Sequence, residues 1–339
     1  MPAKKSKPLV VTMGEPAGVG PELVLQTWHQ RSTLDIVPFC YIGCSAHLKN
    51  LGARLGLSIP LVRIEEVSQA GEIFSTALPV LERALPQPVT PGKPQPSHAK
   101  FITAAIDCAV DLTLQADARA MVTNPIHKKT LHEAGFSFPG HTEYLAHLAG
   151  KNSPVQSVMM LAIPGLKVVP VTVHLPLAQV SRNLTREKII STARITARAL
   201  HQDFAIPVPR LAVAALNPHA GERGQLGREE IDIITPAVNI LRTESIQIEG
   251  PFPADTLFSE DARRAYDAVL CMYHDQALIP LKTIDFYRGA NVTLGLPFVR
   301  TSPDHGTAFD IAGQGTARID SFVEALVLAD QIARRRMKS

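Results

Sequence analysis

Short apolar runs alternate with helix-period patterns along almost the whole chain. Residues 9–12, 36–42, 118–122, 210–216, 268–272 and 291–300 read as strands, several of them continuously apolar, as expected of strands covered on both faces. Between them, apolar residues recur at helical spacing over 21–29, 45–55, 98–114, 185–201, 229–241 and 319–334, the first of these with Pro21 in its opening turn. Residues 157–163 and 166–173 flank Pro164-Gly165 and predict a hairpin, while the proline-rich stretch 86–96 predicts a surface loop. Strand-helix alternation of this kind implies parallel or mixed sheets covered by helices, an α/β protein. A length of 339 residues suggests two domains.

Composition narrows the function classes. With 45% apolar and 19% charged residues the chain can bury a large core, which excludes intrinsic disorder. A formal charge of +3 is too small for a nucleic-acid partner, and the basic clusters Lys4-Lys5-Ser6-Lys7 and Arg334-Arg335-Arg336 read as solvated ends. No apolar stretch reaches the ~20 residues of a membrane span, and the start of the chain does not read as a signal peptide. Cys40, Cys44, Cys108 and Cys271 sit in apolar surroundings without CxxC spacing, so we expect reduced, buried thiols in a cytoplasmic protein.

Candidate chemistry gathers just past the predicted strands. His174, His219 and His274 each follow the carboxyl end of a β-run, and Asn124 occupies the same kind of place. Ligands of open α/β sheets bind outside those ends. Any one of these histidines alone reads more readily as a hydrogen-bonded structural residue; the three together favour a shared divalent metal. His29, His47, His98, His132, His147 and His201 read as solvated or core residues. A second set suggests an anion. Lys282 and Arg300 flank the strand containing Asn291, and His141-Thr142-Glu143 opens a helix after Pro139-Gly140, with Thr142 as its expected N-cap. For that motif taken alone, a merely capped helix is the favoured reading. Neither Gly14-Glu15-Pro16-Ala17-Gly18-Val19-Gly20 nor the glycines of 217–227 form the full GxGxxG dinucleotide fingerprint.

Several blocks together resemble one family. Residues 13–22 (MGEPAGVGPE), 140–143 (GHTE), 217–222 (NPHAGE), 272–276 (MYHDQ), 291–297 (NVTLGLP), Arg300-Thr301-Ser302 and 304–308 (DHGTA) are similar, in collinear order, to the 4-hydroxythreonine-4-phosphate dehydrogenases of pyridoxal 5′-phosphate biosynthesis. The resemblance implies that His174, His219 and His274 bind the metal, and that His141, Thr142, Lys282, Asn291 and Arg300 bind the phosphorylated substrate. It also implies a homodimer whose metal sites are completed by the partner chain. Ala277 and Arg223 stand where the family commonly has glycine. The stretch 305–315 further resembles the adenosine-binding loop of isopropylmalate and isocitrate dehydrogenases, so His305, Gly306, Thr307, Ala308, Asp310 and Gly313 become candidates for holding NAD or NADP. The implied architecture is two α/β/α domains with a central cleft: 1–138 plus 302–339 carrying the cofactor loop, and 139–301 carrying the metal ligands and the dimer interface.

The reaction so implied is oxidation of 4-phosphooxy-L-threonine, followed by loss of carbon dioxide to give 3-amino-2-oxopropyl phosphate. Asp275, Asp255 and Lys282 are candidate bases, although either aspartate would serve equally well to orient a histidine ligand. Imidazole donors favour zinc or cobalt, with magnesium or manganese as alternatives. A related dehydrogenase acting on phospho-threonate or phospho-erythronate shares every motif. A non-catalytic metal- and phosphate-binding protein, or a metallohydrolase, has no use for the 304–315 loop.

Overall fold

The structure, a computed structural model, describes residues 7–150 and 154–338; Lys4, Lys5 and Ser6 of the basic N-terminal cluster lie outside the described residues. Two compact units emerge: a terminal unit, Met1–Ser157 with Leu296–Arg334, and a central unit, Val158–Gly295 with Arg335–Ser339.

The terminal unit is built on six parallel strands. In sheet order they are β3 (Leu61–Ile64), β4 (Leu78–Glu82), β2 (Phe39–Gly43), β1 (Leu9–Thr12), β5 (Ala120–Thr123) and β12 (Arg300–Pro303). Every residue of β1, β2 and β5 is buried, which is why these strands lack polar alternation: helices cover both faces. The edge strand β3 exposes Val62 and Arg63 and is too short and mixed to stand out in the sequence.

The central unit contains β11 (Ala290–Leu294), β6 (Val158–Ile163), β7 (Leu166–Pro170), β10 (Ala268–Cys271), β8 (Arg210–Ala214) and β9 (Gln247–Phe252), in that order. The expected hairpin is present: β6 and β7 are antiparallel, with Ile163 opposite Leu166 and Gly165 supplying the left-handed turn residue at φ +83°. From β7 onward the pairings are parallel, β7 with β10, β10 with β8 and β8 with β9. Leu161, Val168, Ala212, Val269 and Leu281 belong to one buried cluster that seats helix His274–Ile284 on this sheet.

Three differences from the sequence reading have physical causes. The run 291–300 is two strands, interrupted where Gly295 turns left-handed at φ +83° and Pro297 follows. The helix expected from residue 229 opens with a π-helical turn, Glu230–Ile234, before Thr235–Thr243 continues it as α-helix. Helix His141–Ala149 and Arg300, assigned by sequence to the central domain, fall in the terminal unit. There the Tyr144 hydroxyl donates to Asp107 of helix Ala99–Leu114, and β12 pairs with β5.

Among the described residues, no helix is long and apolar enough to cross a membrane. All four cysteines are free; three are buried as expected, and Cys108 is half-buried.

Candidate functional site

In the central unit, β7, β10 and β8 are neighbours running in one direction, so the loops after their carboxyl ends emerge at one edge of the sheet. His174 lies in the first of these loops, His274 opens the helix after β10, and His219 lies beyond β8. The rings of His174 and His274 have centroids 5.6 Å apart. Together with Thr172, Tyr273 and Asp275 they line a cavity of about 200 Å³. His274 Nδ1 is 2.7 Å from Asp275 Oδ1. A proton held between them orients the ring and leaves Nε2 as the electron-pair donor, the usual arrangement behind a metal-binding imidazole.

His219 does not join them. It is exposed and starts a run of left-handed residues, His219, Ala220, Gly221, Glu222 and Arg223, all with φ between 42° and 79°. Each non-glycine residue in that conformation costs roughly 1–2 kcal/mol. Among the described residues, no group of three His, Cys, Asp or Glu side chains lies close enough to hold a metal ion. One chain therefore assembles two of the three expected imidazoles. Their facing rings and the Asp275 carboxylate behind one of them fit a partial metal centre.

The candidate bases surround the same spot. Asp275 lines the histidine cavity and two others: one of about 410 Å³ with Asp255, Tyr273 and Ile279, and one of about 460 Å³ with Lys282 and Phe286. The Lys282 ammonium lies 5.5 Å from the Phe286 ring centroid, a cation–π distance. Asn291 sits on β11, its Oδ1 buried without a hydrogen-bond partner.

The terminal unit carries a basic pocket. Arg300, 3% exposed on β12, donates through Nε (3.0 Å) and Nη2 (2.6 Å) to Thr123 Oγ1 at the end of β5. Burial pushes its guanidinium down to about 10. His141 is held well below the ordinary imidazole range, first by burial and then by the charges of Arg300 and Lys128. Its Nε2 is buried and has no hydrogen-bond partner. Two cations beside a neutral imidazole make a receptor for an anion, which would relieve their mutual repulsion. Thr142 is not the cap expected of it: Gly140 is the N-cap, and Thr142 falls inside the first turn.

Sequence reasoning missed Lys128 and Thr123. Lys128 follows the Asn124-Pro125 break and comes within 3.4 Å of the position a Cβ on Gly140 would take. Thr123 ends β5, one residue past the run read as a strand, and nothing in the sequence around it signals a partner for Arg300. The glycines of the 13–22 motif now have a reason. Asn124 donates to the Thr12 carbonyl, and Gly14, at φ +64°, packs so tightly on Asn124 that a Cβ would lie 2.6 Å from the asparagine's own Cβ.

The loop expected to hold a dinucleotide is pinned from behind. Gly313 N–H donates to the buried Glu22 carboxylate at 2.7 Å, Arg54 donates to the Gly313 carbonyl at 3.0 Å, and Val19 N–H donates to the Thr307 carbonyl at 3.0 Å. Its outer face is free: Gly306 and Asp310 are exposed, nothing lies within 4 Å of where a Gly306 Cβ would be, and His305, Thr307 and Ala308 are half-buried. A rigid loop with one open face fits a flat adenosine group.

Residues 36–329 match the family model described as pyridoxal phosphate biosynthetic protein PdxA. The 4-hydroxythreonine-4-phosphate dehydrogenase of Caulobacter vibrioides is 51% identical over 334 residues, covering 98% of this chain and 99% of that protein. That of Zymomonas mobilis is 50% identical over 330 residues, 97% of each chain. The crystal structure of the Klebsiella pneumoniae 4-hydroxythreonine-4-phosphate dehydrogenase superposes with a TM-score of 0.85 at 38% identity, covering 97% of this chain and 100% of that one.

One consequence concerns Glu15, 1% exposed, whose carboxyl burial raises from 4.5 to about 7 against a single opposing hydrogen bond from Ala17 N–H. The folded chain keeps this proton up to about pH 7, whereas the unfolded chain loses it near 4.5. Between these values the fold binds more protons, so this group subtracts stability as the pH rises. Glu15→Gln is expected to exceed wild type in stability by on the order of 2 kcal/mol at pH 8.5 and to match it at about pH 4, below the unfolded value. Urea unfolding at the two pH values measures this, and an equal difference at both would refute it.

Proposed function

Because the chain belongs to the pyridoxal phosphate biosynthetic protein PdxA family, we propose that it oxidises 4-phosphooxy-L-threonine with NAD or NADP to 2-amino-3-oxo-4-(phosphooxy)butanoate, which loses carbon dioxide to give 3-amino-2-oxopropyl phosphate. The observation that carries this reading is the basic cluster of buried Arg300, half-buried His141 and exposed Lys128, suited to a phosphate. His141, Thr142, Lys282, Asn291 and Arg300 are the residues we assign to the phosphorylated substrate. His305, Gly306, Thr307, Ala308, Asp310 and Gly313 hold the nucleotide.

His174 and His274 hold a divalent ion. Zinc or cobalt suits imidazole donors, with magnesium or manganese as the harder alternatives. When bound, such an ion would lower the pKa of an alcohol beside it. His219 completes the set from a second copy, which makes the active unit a homodimer. An apolar patch on the central unit supports that pairing: Leu177 is 71% exposed, Phe286 66% and Ile279 65%, and each lines a cavity that also contains Asp275.

Among the candidate bases, Asp275 is committed to His274 by its 2.7 Å hydrogen bond and serves to orient that ring. Asp255, across the shared cavity, is then the group that takes the proton of the C3 hydroxyl. Lys282 stays with the phosphate.

Three measurements test this reading. Arg300→Ala should raise KM for 4-phosphooxy-L-threonine about ten- to a hundredfold, since a charged hydrogen bond is worth about 1.5–3 kcal/mol, and leave KM for NAD nearly unchanged. Appearance of the reduced nicotinamide band with phospho-threonate but not with 4-phosphooxy-L-threonine would replace the substrate. Asp255→Asn should lower kcat about a hundredfold or more with little change in KM; a loss confined to Asp275→Asn would reverse the two assignments. Finally, His219→Ala mixed with His174→Ala should recover about a quarter of wild-type activity, because half the dimers are mixed and each of these keeps one intact site. The mixture of His174→Ala with His274→Ala should stay inactive. Activity regained by that second mixture alone would overturn the ligand division.

A further inference from the structure

The left-handed turn that carries His219 is an unfavourable conformation for its four non-glycine residues, His219, Ala220, Glu222 and Arg223. Something outside the turn must hold it. We propose that Glu230 is the positioning residue that fixes this turn, and through it His219, for binding a divalent ion; the inference rests on reading His219 as a metal ligand.

Glu230 is 3% exposed and stands at the first position of the π-helical turn Glu230–Ile234. Its Oε1 accepts the backbone N–H groups of Leu216 and Asn217, both at 2.8 Å. Its Oε2 accepts Asn217 Nδ2 at 2.9 Å, and that amide also donates to Glu229 Oε2 at 2.7 Å. One carboxylate therefore grips the chain at the two residues that precede Pro218-His219. It also touches the middle of the turn: a Cβ on Gly221 would lie 2.6 Å from Glu230 Oε2 and 3.0 Å from the Gly227 carbonyl. Gly227 in turn packs on Asn217, where a Cβ would come within 2.3 Å of Nδ2. The Leu226 N–H donates to the Gly221 carbonyl at 3.1 Å and closes the loop. Strained backbone persists only where its surroundings over-determine it. Here Glu230, Asn217 and two glycines are prominent among those surroundings, and π-turns recur where a side chain must be aimed. Without the carboxylate, three N–H donors lose their acceptor and the turn is free to relax, moving His219.

The test uses the purified full-length chain, stripped of metal and titrated with zinc against a competing chelator, with amide hydrogen exchange followed over residues 216–223. Glu230→Ala should raise the zinc Kd about ten- to a hundredfold, the usual cost of losing a group that orients a metal ligand, and speed exchange at Leu216 and Asn217. Glu230→Gln keeps Oε1 toward both backbone donors but sets an NH2 donor against Asn217 Nδ2, so its zinc Kd should fall between those of wild type and Glu230→Ala. In a His219→Ala background, Glu230→Ala should have no further effect on zinc. If Glu230→Ala does not fold, Gly221→Ala, which pushes against Oε2, should weaken zinc in the same direction. Should His219→Ala weaken zinc while neither Glu230→Ala nor Gly221→Ala does, this inference fails and the ligand assignment stands. An equal loss from Glu230→Ala in the presence and absence of His219 likewise defeats it. Unchanged zinc binding in His219→Ala overturns the ligand assignment, and the inference with it.

Discussion

Parallel pairing is the constraint on which the central unit depends. Parallel neighbours cannot be joined by a tight hairpin, so each strand must be followed by a long excursion, and every excursion leaves from the same edge of the sheet. The chain passes through β7, β8 and β10 in sequence but lays them down with β10 in the middle. Segments far apart in sequence thereby present His174, His219 and His274 on one edge. The strand cores that enforce this, Val168, Ala212 and Val269 among them, are apolar and carry no chemistry. Their role is to make one edge of the sheet the only place where the loops can meet.

In the terminal unit the governing term is the burial of one charge, the Arg300 guanidinium. Arg300 lies in the sheet itself, and burial alone accounts for its lowered pKa. His141 stays neutral beside it for the same reason, with Lys128 adding to the effect. Burying a guanidinium without a counter-ion costs stability, and an anion placed beside it would offset part of that cost. Thr123, accepting two donors from Arg300, keeps the guanidinium aimed while no anion is there. The pocket is thus pre-organised, the condition under which charged groups bind without first having to rearrange.

The sequence shows the chemistry of both units better than its geometry. The histidines after β7, β8 and β10 are legible because strands and their ends leave a clear apolar signature. Arg300 and His141 are legible because they fall in long, specific motif blocks. Lys128 is not, since its role comes from standing close to Gly140 in space. Glu15 reads as one letter of a glycine-rich motif, and only burial reveals a carboxyl that keeps its proton to about pH 7. The place of helix His141–Ala149 is decided by Tyr144 reaching Asp107 and by packing on helix Ala99–Leu114, contacts that no local pattern announces. The strand read across 291–300 failed at Gly295, whose left-handed backbone is invisible in an otherwise β-like run.

Histidine 219 shows why strand-end position alone does not make a site. The rule that loops gather at the carboxyl edge puts it on the same edge as His174 and His274, but its conformation is set by a turn of the wrong hand for L-residues. A relaxed right-handed turn would be cheaper and would carry the imidazole elsewhere. The fold instead places a buried carboxylate behind the turn, with two glycines where side chains would collide. By contrast His274, at the start of a regular helix, needs only Asp275 beside it to fix its ring. Two histidines on one sheet edge are therefore held by different means, one by secondary structure and the other by tertiary bracing. The braced one is the imidazole that does not close a metal centre within its own chain. A side chain braced in this way keeps one place, because each freely rotating bond left in its support would blur its position.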